Sequence, residues 1–147
     1  MRSFYYFVNN RIDDAIAEYD NITEKDITWL YNLGFLMAFK GDVEGAWSQY
    51  RRAFYGTASP NVITDTEVFI SEVINKYPEK VQLLFFRGLI NYKVKKDYVL
   101  AAQDFEEFVR AEGSLAYPNQ VSVAKKYLFL INSDLGVQSP YSDDQTE

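Results

Sequence analysis

Apolar residues recur at intervals of three and four along most of the chain, the spacing that places them on one face of an α-helix. Between residues 42 and 56, for example, Val43, Ala46, Tyr50 and Ala53 follow this spacing. The alternation of apolar and polar residues that indicates a β-strand is almost absent. The pattern therefore predicts an all-α protein with helices at 2–9, 11–21, 25–39, 42–56, 64–77, 79–93, 97–112 and 119–135.

Residues that start and stop helices lie at the predicted boundaries. All four prolines fall between the apolar-periodic stretches, as expected because proline interrupts a helix interior. The pair Gly41-Asp42 is typical of one helix ending and the next beginning. Thr64 with Glu67 forms a possible capping box, and Asp97 is a possible N-cap of the helix that follows it.

Two glycines interrupt apolar runs that otherwise read as helices. Gly34 and Gly88 each cost roughly 0.5–1 kcal/mol relative to alanine in a helix interior. When the chain is aligned on them, Ala46 and Ala101 coincide after one extra residue in the turn is allowed. An aromatic residue, Tyr50 in one case and Phe105 in the other, follows each alanine at the same distance. A similar order and spacing of residue types is found near residue 1, in Ser3, Tyr6, Ile12, Ala15, Tyr19 and Ile22.

This order of residues resembles the tetratricopeptide repeat family, in which a leucine-glycine, an aromatic residue, an alanine and a second aromatic residue recur. The resemblance covers roughly residues 1–58 and 79–112, and implies antiparallel helix pairs stacked as a short α-solenoid of about seven to eight helices. The glycine and the alanine would then be the small residues at which two helices cross. The segment 64–77 reads as a repeat whose first helix has shrunk to a turn around Ser59-Pro60. We expect one repeat domain over residues 1–136, followed by a disordered acidic tail at 137–147.

The resemblance also implies a partner-binding groove along the first helix of each pair. The implied groove residues are mostly aromatic: Phe4, Phe7, Val8, Tyr31, Phe35, Ala38, Phe39, Phe85, Leu89, Tyr92 and Lys93. Members of the family that bind a carboxylate use basic residues at such positions, and here Lys93 is almost alone, so that function is not expected. An alternative is that these rings are core residues covered by a neighbouring helix such as 119–135.

Composition and charge exclude several classes of protein. The chain has no cysteine and no histidine, which excludes disulfides, thiolate or imidazole metal sites and histidine-dependent triads. Its net charge of −6 and its single small lysine cluster, Lys93, Lys95 and Lys96, argue against a nucleic-acid binder. The apolar run near residue 1 is too short for a secretory leader or a membrane span. We therefore expect a cytoplasmic protein without membrane insertion.

Catalysis has little support in the sequence. The adjacent carboxylates Asp13-Asp14 and Glu106-Glu107 are turned about 100° apart on a helix, so they are interpreted as charges on a solvated face. No motif for a metal, a nucleotide or another cofactor is present. We therefore expect neither an enzyme nor a bound cofactor.

The sequence thus favours an interaction module, an adaptor or chaperone, that binds an apolar or aromatic segment of another protein. Two other hypotheses stay open. The chain could be a structural subunit or a homo-oligomer such as a homodimer, with its groove filled by another copy or by its own last helix. It could also be an accessory domain beside an enzyme such as a glycosyltransferase, or beside a secretion machine.

Overall fold

The computed structural model describes residues 12–20 and 27–134, and these residues form seven α-helices with no β-strand among them. The prediction of an all-α fold is confirmed. The elements are α1 Ile12–Asp20, α2 Ile27–Lys40, α3 Val43–Tyr55, α4 Pro60–Lys76, α5 Gln82–Leu89, a π-helical turn Ile90–Lys95, α6 Tyr98–Arg110, a 3₁₀ helix Glu112–Ala116 and α7 Pro118–Asp134.

The chain divides into two compact units, the first ending at Ile70 and the second beginning at Ser71. In the second unit α6 packs extensively against both α5 and α7. Each unit contains a helix hairpin with extensive contacts, α2 with α3 in the first and α5 with α6 in the second. We call these the first and the second helix pair. The expectation of one repeat domain over residues 1–136 stays a prediction.

The first helix pair turns through Gly41 and Asp42. Gly41 has a φ of 102°, a conformation that favours glycine. Asp42 caps α3, because its Oδ1 accepts a hydrogen bond of 3.0 Å from the backbone N–H of Gly45. Both assignments agree with the boundary predicted from the sequence.

The atoms nearest to a Cβ at the crossing glycine of each pair belong to an aromatic ring of the second helix, and not to the matching alanine that the resemblance implied. A Cβ added to Gly34 would lie 3.0 Å from the ring of Tyr50, and one added to Gly88 would lie 2.7 Å from the ring of Phe105. Ala46 and Ala101, the matching alanines of the second helices, are fully buried. The glycines therefore lower helix propensity at positions where a side chain would meet the facing ring.

The predicted start of α4 is wrong. The helix begins at Pro60, not near Thr64, and Ser59 serves as its cap because the Val62 N–H donates to the Ser59 Oγ at 3.3 Å. Proline suits the first helical position, where its missing N–H has no intrahelical partner to lose. Thr64 and Glu67 therefore lie inside the helix and form no capping box at its start, and Ser59-Pro60 begins a helix of 17 residues.

The other helices lie close to their predictions. The predicted helix 79–93 is divided into α5 and the π-helical turn, and a short 3₁₀ helix after α6 was not predicted. Pro118 begins α7. The predicted helix 2–9 and the predicted tail 137–147 lie outside the described residues.

Candidate functional site

Six of the predicted groove residues are buried in the structure. The exposed fractions are 2% for Tyr31, 4% for Phe35, 6% for Phe39, 0% for Phe85 and 1% for Leu89. Ala38 is also fully buried, whereas Phe4, Phe7 and Val8 lie outside the described residues. These buried side chains are core residues here and do not line an open groove.

In the first unit the rings pack on one another. The ring centroid of Tyr31 lies 6.0 Å from that of Tyr50 and 6.2 Å from that of Phe54. Phe35 meets Phe69 edge to face at 4.9 Å. Burial raises the pKa of the Tyr31 hydroxyl to about 12, so it stays neutral at any physiological pH. Aromatic pairs at these distances stabilise a core beyond the area that they bury.

In the second unit Phe85 is enclosed in the same way. Its ring centroid lies 5.1 Å from Phe86, 6.0 Å from Phe105 and 5.4 Å from Phe108. The two last residues belong to α6, so Phe85 fills the space between the helices of the second pair. The aromatic residues that the sequence pattern places on the first helix of each pair are thus used mainly for internal packing.

Tyr92 and Lys93 are the two predicted groove residues that the structure brings together at an accessible position. Tyr92 is half-buried and Lys93 is exposed. The ring of Tyr92 lies 4.5 Å from that of Tyr127 and 5.4 Å from that of Tyr98. The Lys93 Nζ lies 5.3 Å from the centre of the Tyr127 ring, within the range of a cation–π contact. We call Tyr92, Lys93, Tyr98 and Tyr127 the tyrosine cluster.

The π-helical turn positions the tyrosine cluster. It contains Tyr92 and Lys93. The residue that follows it, Lys96, has a left-handed conformation with a φ of 58°. Asp97 then caps α6 by accepting from the Leu100 N–H at 3.2 Å, so Tyr98 is the first residue of that helix. The turn and the cap together bring Tyr98 back against Tyr92. Turns of π-helix inside α-helices are frequent at functional sites.

Next to the cluster, beneath the same turn, lies a buried polar network. Two nitrogens of Arg87 donate to the carboxylate of Asp104, at 3.0 Å and 2.7 Å, and a third donates to the Ser71 Oγ at 2.9 Å. The side-chain amide of Asn91 donates to the same carboxylate at 3.4 Å. The Asn91 Oδ1 has no hydrogen-bond partner among the described residues. Burial raises the pKa of Asp104 despite the two bonds from Arg87.

Sequence reasoning missed this network and two members of the cluster. Arg87 and Asn91 are four residues apart, which places them on one helix face, but nothing in the sequence selects Asp104 as their partner. Nothing in the sequence places Tyr98 or Tyr127 beside Tyr92. The contact between Tyr92 of the π-helical turn and Tyr127 of α7 joins elements that are distant in the sequence. No local sequence pattern predicts it.

The cluster combines aromatic faces with a positive charge. Its three rings and one ammonium group offer no nucleophile with an adjacent base. Among the described residues no group of three or more carboxylates is placed to hold a metal ion. The helices of residues 12–20 and 27–134 include none that is both long and apolar enough to cross a membrane.

Comparison with known proteins gives no match: no family model, no curated protein and no solved structure corresponds to this chain.

Proposed function

We propose that this protein is an interaction module, an adaptor or chaperone with paired helices like those of tetratricopeptide repeats, and that its tyrosine cluster binds an aromatic or apolar segment of a partner protein. The observation that carries the proposal is the half-buried Tyr92, in ring contact with Tyr98 and Tyr127 beside the ammonium group of Lys93. The glycine at the crossing point of each helix pair supports the likeness to the repeat family. In this proposal the chain is cytoplasmic and has no catalytic role of its own.

The rings of the cluster are held before a partner arrives. The Tyr127 ring stacks on the Phe105 ring, with 5.7 Å between the ring centroids. The Tyr92 ring also packs against the Tyr127 ring. Tyrosine loses little side-chain entropy on binding, and preorganised rings lose less still. A partner ring or aliphatic side chain can therefore bury area here at a small ordering cost.

Lys93 gives the proposed segment a second chemical requirement. Its ammonium group is exposed, so a carboxylate next to the incoming apolar residue would meet a positive charge. The expected occupant is thus a segment that combines an aromatic or aliphatic residue with a nearby aspartate or glutamate. At about 25 cal/mol per Å², roughly 300 Å² of apolar area supplies several kcal/mol before association costs. We expect dissociation constants in the micromolar range.

Selection from a library of random peptides displayed on phage tests the proposal. The full chain is the bait, and each enriched peptide is synthesised and titrated by fluorescence anisotropy. We expect enrichment of Phe, Tyr, Trp or Leu beside Asp or Glu. Tyr98→Ala and Lys93→Glu should each weaken binding about tenfold, which corresponds to about 1.4 kcal/mol.

The matched controls are Tyr117→Ala, a half-buried tyrosine outside the cluster, and Lys126→Glu, an exposed lysine beside Tyr127 in the sequence. Both should bind as the unchanged chain does. Peptides that bind Tyr98→Ala and the unchanged chain equally would overturn the proposal. So would a homodimer that Tyr98→Ala dissociates, since the cluster would then be occupied by another copy.

A further inference from the structure

The second helices of the two pairs carry opposite charges at equivalent positions. Asp42 and Asp97 cap α3 and α6, and Tyr50 and Phe105 follow these caps at the same distance and face the crossing glycines. In this register the residues after Tyr50 are Arg51-Arg52, and those after Phe105 are Glu106-Glu107. Two helix surfaces of the same construction therefore present a basic pair in one unit and an acidic pair in the other.

The basic pair is not neutralised within the described part of the chain. Arg51 and Arg52 are both exposed, and neither forms an ion pair with a described residue. Other cations do so: Lys40 pairs with Asp13, Arg87 with Asp104 and Arg110 with Glu106. Instead, Arg52 donates to the Gln49 Oε1 at 3.1 Å. In a chain with a net charge of −6, two adjacent unpaired arginines form a local positive surface.

Aromatic residues flank the basic pair on the same helix. The Arg51 Cζ lies 6.0 Å from the centre of the Trp47 ring, and Tyr55 is 90% exposed. Trp47, Arg51 and Tyr55 are spaced at four-residue intervals, so they share one face of α3. Tryptophan, tyrosine and arginine are the residues that most often anchor protein interfaces. We call Trp47, Arg51, Arg52 and Tyr55 the basic face.

The acidic pair of α6 has the complementary properties. Glu107 is exposed and forms no ion pair with a described residue. Glu106 is bound to Arg110 at 3.5 Å, and both of their side chains remain partly exposed. A partly exposed pair of this kind adds little stability and exchanges partners readily. We call Glu106 and Glu107 the acidic face.

We propose that a second copy of this chain is the occupant of the basic face, and that it docks through its acidic face. The contact is heterologous, because one surface of a copy meets a different surface of the next, so it closes into a ring or extends as a chain of copies. The exposed ring of Tyr55 supplies apolar area that two charge pairs alone lack. This association uses other residues than the tyrosine cluster and does not depend on the function proposed above.

Charge reversal tests the proposal with the protein itself as its probe. Sedimentation velocity of the full chain at about 0.02 M salt, where screening is weak, should show mass rising with concentration. At about 0.5 M salt the association should be lost. Arg51→Glu/Arg52→Glu should remain monomeric at low salt, and so should Glu106→Arg/Glu107→Arg. A mixture of the two variants in equal amounts should associate again, because the acidic faces of one meet the basic faces of the other.

Net charge alone also opposes association, so controls with the same charge change are required. Lys96→Glu/Lys126→Glu and Glu72→Arg/Glu79→Arg alter exposed residues that belong to neither face, and these variants should associate as the unchanged chain does. Failure of the mixture to associate overturns the proposal, as does a monomeric unchanged chain at low salt. Tyr98→Ala should leave this self-association unaltered, which distinguishes it from the proposed function.

Discussion

The two helix pairs pack through equivalent residues and differ at the turn that joins the two helices of each pair. Each pair has a crossing glycine, a facing aromatic ring and an aspartate cap. In the first pair Gly41 ends α2 directly. In the second, the chain passes through the π-helical turn before Lys96 adopts the left-handed conformation that Gly41 has in the first.

The π-helical turn accounts for the extra residue of the second pair. Phe105 lies one residue further from Gly88 than Tyr50 does from Gly34, and both rings nevertheless face their glycine. A π-helical hydrogen bond spans one residue more than an α-helical one, so it absorbs an inserted residue without moving the helix ends. The difference is local, because the π-helical turn that absorbs the extra residue carries Asn91, Tyr92 and Lys93. The comparison thus separates the elements that form the fold from those that form the candidate site.

The largest expected difference between the pairs lies in the Arg87–Asp104 ion pair. The equivalent residues of the first pair are Leu33 and Gln49, which cannot form one. Asp104→Ala leaves Arg87 largely buried without its carboxylate, and we expect a loss of about 3 kcal/mol in the free energy of unfolding. Urea denaturation followed by circular dichroism measures the loss.

Transplanting the residues of the first pair sharpens this test. Arg87→Leu/Asp104→Gln removes both charges, so it should recover more than half of the loss caused by Asp104→Ala, because a buried ion pair is often replaceable by uncharged residues. Gln49→Ala is the control at the equivalent position and should cost less than about 1 kcal/mol. A double variant no more stable than Asp104→Ala would show that the network is needed for another reason.

Addition of a methyl group at the crossing points should affect the second pair more. The Cβ of Gly88→Ala would lie 2.7 Å and 2.9 Å from two ring carbons of Phe105, whereas that of Gly34→Ala would lie 3.0 Å from Tyr50. We expect Gly88→Ala to lose about 1–2 kcal/mol. In Gly34→Ala, a gain in helix propensity of up to about 1 kcal/mol should offset most of the crowding.

Replacement of the ring opposite the glycine by a smaller side chain identifies the cause. Phe105→Leu should be less damaging in the Gly88→Ala background than in the unchanged chain, and thermal denaturation of the four proteins of this cycle measures the coupling. Strictly additive losses would mean that the added methyl group does not meet Phe105.

The parts of this comparison that depend on local rules were predictable from the sequence. Gly41, Asp42 and Asp97 act through their own backbone neighbourhoods, so their roles follow from residue type and position. The helical period and the crossing glycines gave the pairing of helices. Exposure was not predictable in the same way, because Phe85 and Tyr92 look alike in the sequence and differ only in what packs over them. The π-helical turn also escaped prediction, since its residues have ordinary helical preferences.

The left-handed residues of the two turns can be substituted in opposite directions, glycine to a residue with a side chain in the first pair and the reverse in the second. Gly41 has a φ of 102° and Lys96 a φ of 58°, and a left-handed conformation costs a residue with a side chain roughly 1–2 kcal/mol. Gly41→Ala should therefore destabilise the protein by about that amount. Lys96→Gly should stabilise it by up to about 1 kcal/mol, less than the reverse cost because glycine also loses more backbone entropy on folding. Equal losses for both substitutions, measured by thermal denaturation, would contradict this account.

The smallest expected effect is a pH dependence in the acidic range, which arises from Asp104 in the second pair. Removal of the Asp104 carboxylate from water opposes its ionisation more than the hydrogen bonds and charge of Arg87 favour it, so its pKa is raised above 3.8 in the folded chain. The folded state therefore binds the proton more tightly than the unfolded state does. It follows that the contribution of Asp104 to stability falls as the pH rises from about 3.8 through the raised folded pKa, and is constant above it.

Asp104→Asn isolates this contribution, because the amide keeps an oxygen that accepts from Arg87 and does not titrate. The free energy of unfolding of the unchanged chain minus that of Asp104→Asn should decrease with rising pH, since the other carboxylates act alike in both proteins and cancel. Urea titrations at intervals above pH 4 measure the difference, and Gln49→Glu gives a control carboxylate at the equivalent, half-buried position of the first pair. A difference that increases with pH would mean that attraction to Arg87 outweighs the loss of hydration. In that case the ionised pair would itself stabilise the second helix pair. Leu33 and Gln49 would then stabilise the first pair less than Arg87 and Asp104 stabilise the second.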